Sequence, residues 1–193
     1  MDNQPSDSVL IARAKEDLQA FGGLYERYAA RIYRYIYYRT GNHADAEDLT
    51  AKTFHRALRH IHHYTDRGAP FAAWLYRIAH NIVANWVRDQ NRHPMVALDA
   101  IAMPKEERLG PHATAESKED TERLLLAVRK LHPERQELLI LKFVEEMTNA
   151  EIGAVMGRTE GAVKSLYHRT LVALREDLDT HLENNRQSGG RDG

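Results

Sequence analysis

The 193-residue chain carries 27 Lys and Arg against 28 Asp and Glu, for a formal net charge of −1, and 42% of it is hydrophobic. That composition suits one folded domain or two small ones and is too apolar for a wholly disordered chain. Cysteine is absent, which excludes disulfides, thiolate metal sites, iron–sulfur clusters and a thiol nucleophile.

The start, MDNQPSDSVL, is acidic and polar and does not read as a secretory signal. Apolar runs such as Leu124–Val128 fall far short of the roughly 20 residues a membrane span needs. The expectation is a soluble, cytoplasmic protein with no membrane insertion. Charge is uneven along the chain. Residues 1–92 hold 13 basic and 10 acidic side chains, residues 93–120 hold 3 and 6, and residues 121–193 hold 11 and 12. Within the first segment, residues 55–92 hold Arg56, Arg59, Arg67, Arg77, Arg88 and Arg92 against only Asp66 and Asp89. Such asymmetry suggests parts with different tasks.

Apolar periodicity is helical nearly everywhere, with no convincing alternating strand. Leu24, Tyr28, Ile32, Tyr35 and Ile36 share one helical face. Gly41 breaks that helix, and Asn42 can cap the next, whose first turn carries Asp45, Glu47 and Asp48, as the helix dipole favours. Leu49, Thr53 or Phe54, Ala57, Leu58 and Ile61 form its apolar stripe. His62 to Ala69 reads as a loop turning at Asp66-Arg67-Gly68. Pro70 suits a helix start. The helix that follows has Phe71, Trp74, Leu75, Ile78, Ala79, Ile82, Val83, Trp86 and Val87 at helical spacing. A stripe without acids, Arg77, Asn81, Asn85, Arg88 and Arg92, runs opposite.

Residues 93–120, rich in Pro and charge, read as an acidic linker. Helices resume near Thr121, with Leu124, Leu125, Val128 and Leu131 on one stripe, and again after Pro133. Thr148-Asn149-Ala150-Glu151 is a capping box. Gly157 suits a helix stop, and Thr159 can cap a last helix running to about Leu182. Residues 184–193 are expected to be a disordered tail.

Cap, short helix, glycine turn, cap and longer helix is a helix-turn-helix layout. Val163, Tyr167, Thr170, Leu174 and Leu178 can face inward on the last helix. Gly161, Lys164, Ser165, His168 and Arg169 then face out, able to meet phosphates or base edges. A plain helical hairpin with a solvated face fits the same spacing. Residues 60–92 interleave rings with arginines, as single-stranded nucleic acid requires. Phe71, Trp74 and Trp86 fall on the buried stripe, so Tyr64 in the loop is the better base platform. His55, His60, His62 and His63 cluster at a helix end, but a metal needs three or four convergent ligands. The expectation there is no metal and no cofactor. No Ser/His/Asp grouping or phosphate loop appears, so the chain is not read as an enzyme.

Here the sequence resembles a known family. Asp45-Ala46-Glu47-Asp48-Leu49, Thr53-Phe54 and Arg56-Ala57 resemble region two of bacterial sigma factors of the extracytoplasmic-function class. Phe71-Ala-Ala-Trp74-Leu75-Tyr76-Arg77-Ile78-Ala79-His80-Asn81 is similar to the signature that follows it. Leu131-His-Pro133-Glu-Arg135-Gln136, Glu151-Ile152, Gly157, Val163-Lys164-Ser165 and His168-Arg169 resemble region four. The resemblance covers about residues 10–92 and 121–180.

It implies an all-α fold of two small helical domains, a region-two bundle (1–92) and a region-four helix-turn-helix (121–183), joined by the linker 93–120. It implies docking on the β′ clamp helices of core RNA polymerase through Asp45, Glu47, Asp48, Leu49 and Phe54. It implies minus-ten recognition and melting through Tyr64, Asp66, Arg67, Gly68, Arg77, Asn81, Asn85 and Arg88. It implies minus-thirty-five recognition through Thr159, Gly161, Lys164, Ser165, His168 and Arg169. The β flap and an anti-sigma factor complete the implied partners, with promoter DNA as the target. The chain departs from the pattern at Thr50, Ala51 and Lys52, where Lys52 puts a cation in the docking face, and at Asn85, a frequent Asp. Leu166 and Leu171 replace frequent arginines and, if exposed, would suit an anti-sigma clamp. The readings from other classes are a dimeric helix-turn-helix repressor and, third, a helical metal sensor.

Overall fold

The computed structural model describes residues 5–66, 68–89 and 115–189. These residues are helical, with no strand among them: α1 (Asp7–Glu16), α2 (Gly22–Thr40), α3 (His43–His60), α4 (Phe71–Asp89), α5 (Ala115–Lys130), α6 (Pro133–Leu139), α7 (Asn149–Met156) and α8 (Glu160–Gly189). The all-α expectation holds.

Local signals explain most boundaries. Gly41 ends α2 at φ 67°, a left-handed value that glycine adopts without strain, and its N–H donates to the Tyr37 carbonyl. The Asn42 side chain accepts from the Asp45 amide at 3.1 Å and starts α3. Leu24, Tyr28, Ile32 and Ile36 of α2, Ala46, Leu49, Thr53, Phe54 and Ala57 of α3, and Phe71, Leu75, Ala79 and Val83 of α4 are buried together. This three-helix bundle is the N-terminal half. α1 ties down its loop end: Lys15 Nζ donates to the Tyr64 carbonyl at 2.6 Å.

In the C-terminal half, Pro133 opens α6 and a π turn, Ile140–Val144, extends it. The Thr148 capping box forms as expected, with Glu151 bonded back to the Thr148 amide at 2.7 Å. Gly157 ends α7 at φ 69°. Gly153 has a different role. A Cβ there would lie 2.7 Å from the Arg158 carbonyl, so the helix-turn-helix closes only on a glycine.

Two helix spans reach past the expected boundaries. Residues 115–120 belong to α5, not to a linker. The rest of the expected linker lies outside the described residues. Residues 184–189, expected in the tail, lie within the span of α8 (Glu160–Gly189).

The two halves do not stand apart. α7 packs on α4. Buried Leu138, Leu141, Ile152 and Val155 of the C-terminal half join the core cluster that holds Leu75, Ala79 and Val83.

Candidate nucleic-acid interface

On α3 the acids and the apolar residues part company. Glu47 and Asp48 are exposed and Asp45 is half-buried. Leu49 and Phe54 are buried, Phe54 edge-on to Phe21 and Tyr25. Both were expected on the docking face; in this structure they build the core beneath it. Their places on the helix repeat follow the buried stripe, which the motif alone does not distinguish from a contact face. Lys52 bonds Asp48 at 2.5 Å one turn away, so its cation offsets one acid of that face.

The loop corrects a second expectation. Tyr64 is 7% exposed, and its ring sits edge-on against Phe71 and Trp74 at 5.3 and 5.1 Å. Buried this far, the ring offers no platform to a base. Asp66 is exposed and accepts from the Gly68 amide at 2.9 Å, and Gly68 turns the chain at φ 82°. Arg67 lies outside the described residues. Along α4, Asn81, Asn85 and Arg88 are exposed, with Arg88 bonded to Asn85 at 2.9 Å. Arg77 is also exposed by area, yet its guanidinium donates to the Ala154 carbonyl of α7 at 2.7 Å.

On α8 the expected faces appear. Val163, Thr170 and Leu174 are buried, Tyr167 and Leu178 half-buried, and Thr159, Gly161, Lys164, Ser165, His168 and Arg169 exposed. Thr159 Oγ1 caps the Ala162 amide at 3.2 Å, and Lys164 bonds Glu160 at 2.8 Å. Leu166 is 5% exposed and packs in the core, so it is not available to a clamp. Leu171 is 42% exposed, beside Val172 at 41%.

Two features went unforeseen in the sequence. One is a groove between α3 and α4, lined by Lys52, His55, Arg56, Arg59 and His60 with Ile82. It continues past Lys52 and Ile82 to Leu49, Asn85, Trp86 and Asp89. A run of basic residues at spacing 52, 55, 56, 59 and 60 on one helix was the available signal. The same histidines form no group of three or more possible metal ligands among the described residues.

The other is a buried ionic seam between the halves. Glu137 Oε1 of α6 accepts from Tyr35 at 2.5 Å, Arg39 at 2.5 Å and His80 at 2.6 Å. Burial alone would raise the Glu137 carboxyl, but Arg39, His80 and Tyr35 outweigh it and hold its pKa at about 2. Glu145, at the end of the π turn, accepts from Tyr76 and Arg31, and among the described residues its other oxygen meets Arg34 at 3.6 Å. In a regular helix, residues eight apart point roughly 80° away from each other. The wider π turn rotates less per residue and brings Glu145 back beneath Glu137. Burial, then the facing glutamates, push the Tyr35 and Tyr76 phenols upward, so both donate as neutral groups.

Comparison with known proteins follows this division. Residues 24–93 match sigma-70 region 2 and residues 121–174 match sigma-70 region 4. The chain is 30% identical to ECF RNA polymerase sigma factor SigW of Bacillus subtilis, over 85% of this chain and 91% of that one. The chain belongs to the extracytoplasmic-function sigma factors of the sigma-70 family. It is 40% identical to sigma factor BldN of Streptomyces coelicolor and 35% to SigE of Mycolicibacterium smegmatis. It spans 63% and 64% of those two proteins' lengths. Among solved structures, CnrH bound to the cytosolic domain of CnrY aligns with a TM-score of 0.60 at 23% identity, over 90% of this chain and 97% of that one. The sigma factor RpoE of Bartonella quintana, bound to the anti-sigma factor NepR, aligns at 0.59 and 20%, over 82% and 96%. These two likenesses give the fold. No helix among the described residues of this sigma factor is long and apolar enough to cross a membrane.

Proposed function

We propose that this sigma factor is a dissociable subunit of RNA polymerase that directs promoter-specific initiation by binding duplex at minus thirty-five and melted strand at minus ten. It makes and breaks no covalent bond. The observation that carries the reading is the pairing of a region-2 match with a region-4 match on one chain, each presenting an exposed polar face on a rigid helix.

Asp45, Glu47 and Asp48 give α3 an acidic end for the polymerase clamp, and buried Leu49 and Phe54 hold that face in position. Asp66, Gly68, Asn81, Asn85 and Arg88, with Arg67 and a released Arg77, read the minus-ten strand. Tyr64 is a positioning residue that fixes the base of the loop. The α3–α4 groove adds cations along which phosphates can run. On α8, Thr159, Gly161, Lys164, Ser165, His168 and Arg169 meet the minus-thirty-five groove. Core polymerase, through its clamp and flap, and promoter DNA are the partners. An anti-sigma factor is the expected inhibitor, with exposed Leu171 and Val172 as apolar contact.

The test is run-off transcription with core polymerase over a pooled genomic template. Defined start sites that depend on added chain support the reading. Tight binding to a palindromic duplex without polymerase, and no chain-dependent start, overturns it in favour of a repressor.

A further inference from the structure

We propose that the groove between α3 and α4 is a binding site for a free guanine nucleotide carrying two or more phosphates, and that this nucleotide competes there with promoter DNA. The competition rests on the sigma-factor reading; the site itself does not.

The groove has two unlike ends. Along α3, Lys52, His55, Arg56, Arg59 and His60 recur at helical spacing, line it and are exposed. No acidic residue falls between Asp48 and Asp66 in the sequence, so this stretch has no carboxylate of its own, and Lys52 reaches back one turn to Asp48. On α4, Ile82, Asn85, Trp86 and Asp89 recur at the same spacing and, with Leu49, form the other end. Leu49 is buried, Ile82 and Trp86 are half-buried, and Asn85 and Asp89 are exposed. That end is therefore an apolar wall with an amide and a carboxylate at its rim. The two hollows share Lys52 and Ile82 and measure about 430 and 320 Å³, within the roughly 300–1,000 Å³ of small-ligand sites. From residue 49 to residue 60, α3 runs about 17 Å.

A row of cations that gives way to a ring matches a molecule with phosphates at one end and a planar base at the other. Arg56 and Arg59, one turn apart, can each offer a fork of N–H donors to phosphate oxygens. Trp86 and Ile82 supply the apolar wall against which a base lies. Asp89 selects among bases. An ionised carboxylate only accepts, and guanine presents it with two adjacent donors, the ring N1–H and the exocyclic amine. The Asn85 Oδ1 accepts from Arg88 at 2.9 Å, which leaves the amide N–H groups to donate to the guanine oxygen.

A nucleic-acid strand uses only half of this groove. Its backbone carries a charge at every nucleotide, and past Lys52 the next phosphate would meet Leu49, Trp86 and the Asp89 carboxylate. A free nucleotide ends there in its base. The phosphates of DNA and of the nucleotide thus claim the same two arginines, and binding of either weakens the other.

Calorimetric titration of the full chain with GTP, ATP and inorganic tripolyphosphate, at low salt and without magnesium, tests the site. One GTP should bind per chain, with ATP and tripolyphosphate at least about tenfold weaker, the worth of one well-made base contact. Arg56→Ala with Arg59→Ala should weaken GTP at least about tenfold. Arg175→Ala, which removes an exposed cation of α8, should leave GTP binding unchanged. Asp89→Asn should abolish the preference for GTP over ATP without weakening tripolyphosphate. Circular dichroism should show the same helices in every variant. No saturable GTP binding, equal affinity for the three ligands, or an equal loss in Arg175→Ala overturns the site. With core polymerase added, saturating GTP should weaken binding of forked promoter DNA at least about fivefold for wild type and leave the Arg56→Ala, Arg59→Ala holoenzyme unaffected. Equal effects on both, or none on either, overturn the competition. GTP binding by the chain with no promoter binding by the holoenzyme upholds the site and refutes the sigma-factor reading instead.

Discussion

The region-2 bundle of this sigma factor carries two cationic surfaces, and they meet opposite fates. On the outer side, between α3 and α4, Arg56, Arg59, His55 and His60 line an open groove in which Lys52 pairs with Asp48. On the inner side, along α2 and α4, Arg31, Arg34, Arg39 and His80 are met by Glu137 and Glu145 from the other half of the chain. The residue types are the same; what differs is whether the protein brings its own carboxylate. A cation left open is available to phosphate at all times. A cation covered by an internal acid is available only after a rearrangement, and until then it contributes to stability.

The sharpest way to break this contrast is to remove one cation from each surface. Arg39→Ala leaves Glu137 buried without its closest cation, and loss of one partner of a buried pair costs about 3–5 kcal/mol. Chemical denaturation should show a loss of that order, whereas Arg56→Ala on the open groove should fall within about 0.5 kcal/mol. Equal losses would erase the distinction between the surfaces.

Acid offers a second route to the same contrast. The folded pKa of Glu137 is depressed, from 4.5 to about 2. The native state therefore binds fewer protons than the unfolded chain between those values, and stability rises with pH there. The stabilisation is complete above about pH 4.5 and is lost as pH falls through about 2. Glu137→Gln should remove that part of the acid dependence. A variant that loses stability with the same acid slope as wild type would place the titration elsewhere.

Smaller effects test the recognition elements. Thr148→Ala removes the cap of α7 and should cost about 1 kcal/mol by thermal or chemical melting, without shifting the clamp or minus-ten contacts. Arg56→Ala with Arg59→Ala should leave stability nearly unchanged and make the salt dependence of promoter binding shallower. If both arginines meet single-strand phosphates, the slope against log salt should fall by about 1.4. An unchanged slope would remove the groove from the path of DNA.

What could be read from the sequence was whatever depends on near neighbours. Asn42, the Thr148–Glu151 box, Gly157 and the inward face of Val163, Thr170 and Leu174 lie where spacing and caps put them, because those interactions close within one or two turns. The fold class followed from the same periodicity. What failed was assigning an outside. Leu49, Phe54, Tyr64 and Leu166 belong to motifs and loops but are buried, since apolar and aromatic residues at helical spacing go to the core unless something holds them out. The seam was illegible for another reason. Tyr35 and Glu137 are 102 residues apart, and no local pattern pairs an arginine in one helix with a particular glutamate so far along the chain. Nor does sequence spacing announce the π turn that aligns Glu145 with Glu137.

The account turns on the chain engaging polymerase and separated DNA strands together. A promoter fragment with 2-aminopurine in its minus-ten non-template strand reports unstacking directly by fluorescence. The account predicts a rise when core polymerase and the chain are both present, and none with either alone. A rise with the chain alone, or none with both while the chain is helical and bound to polymerase, would contradict it.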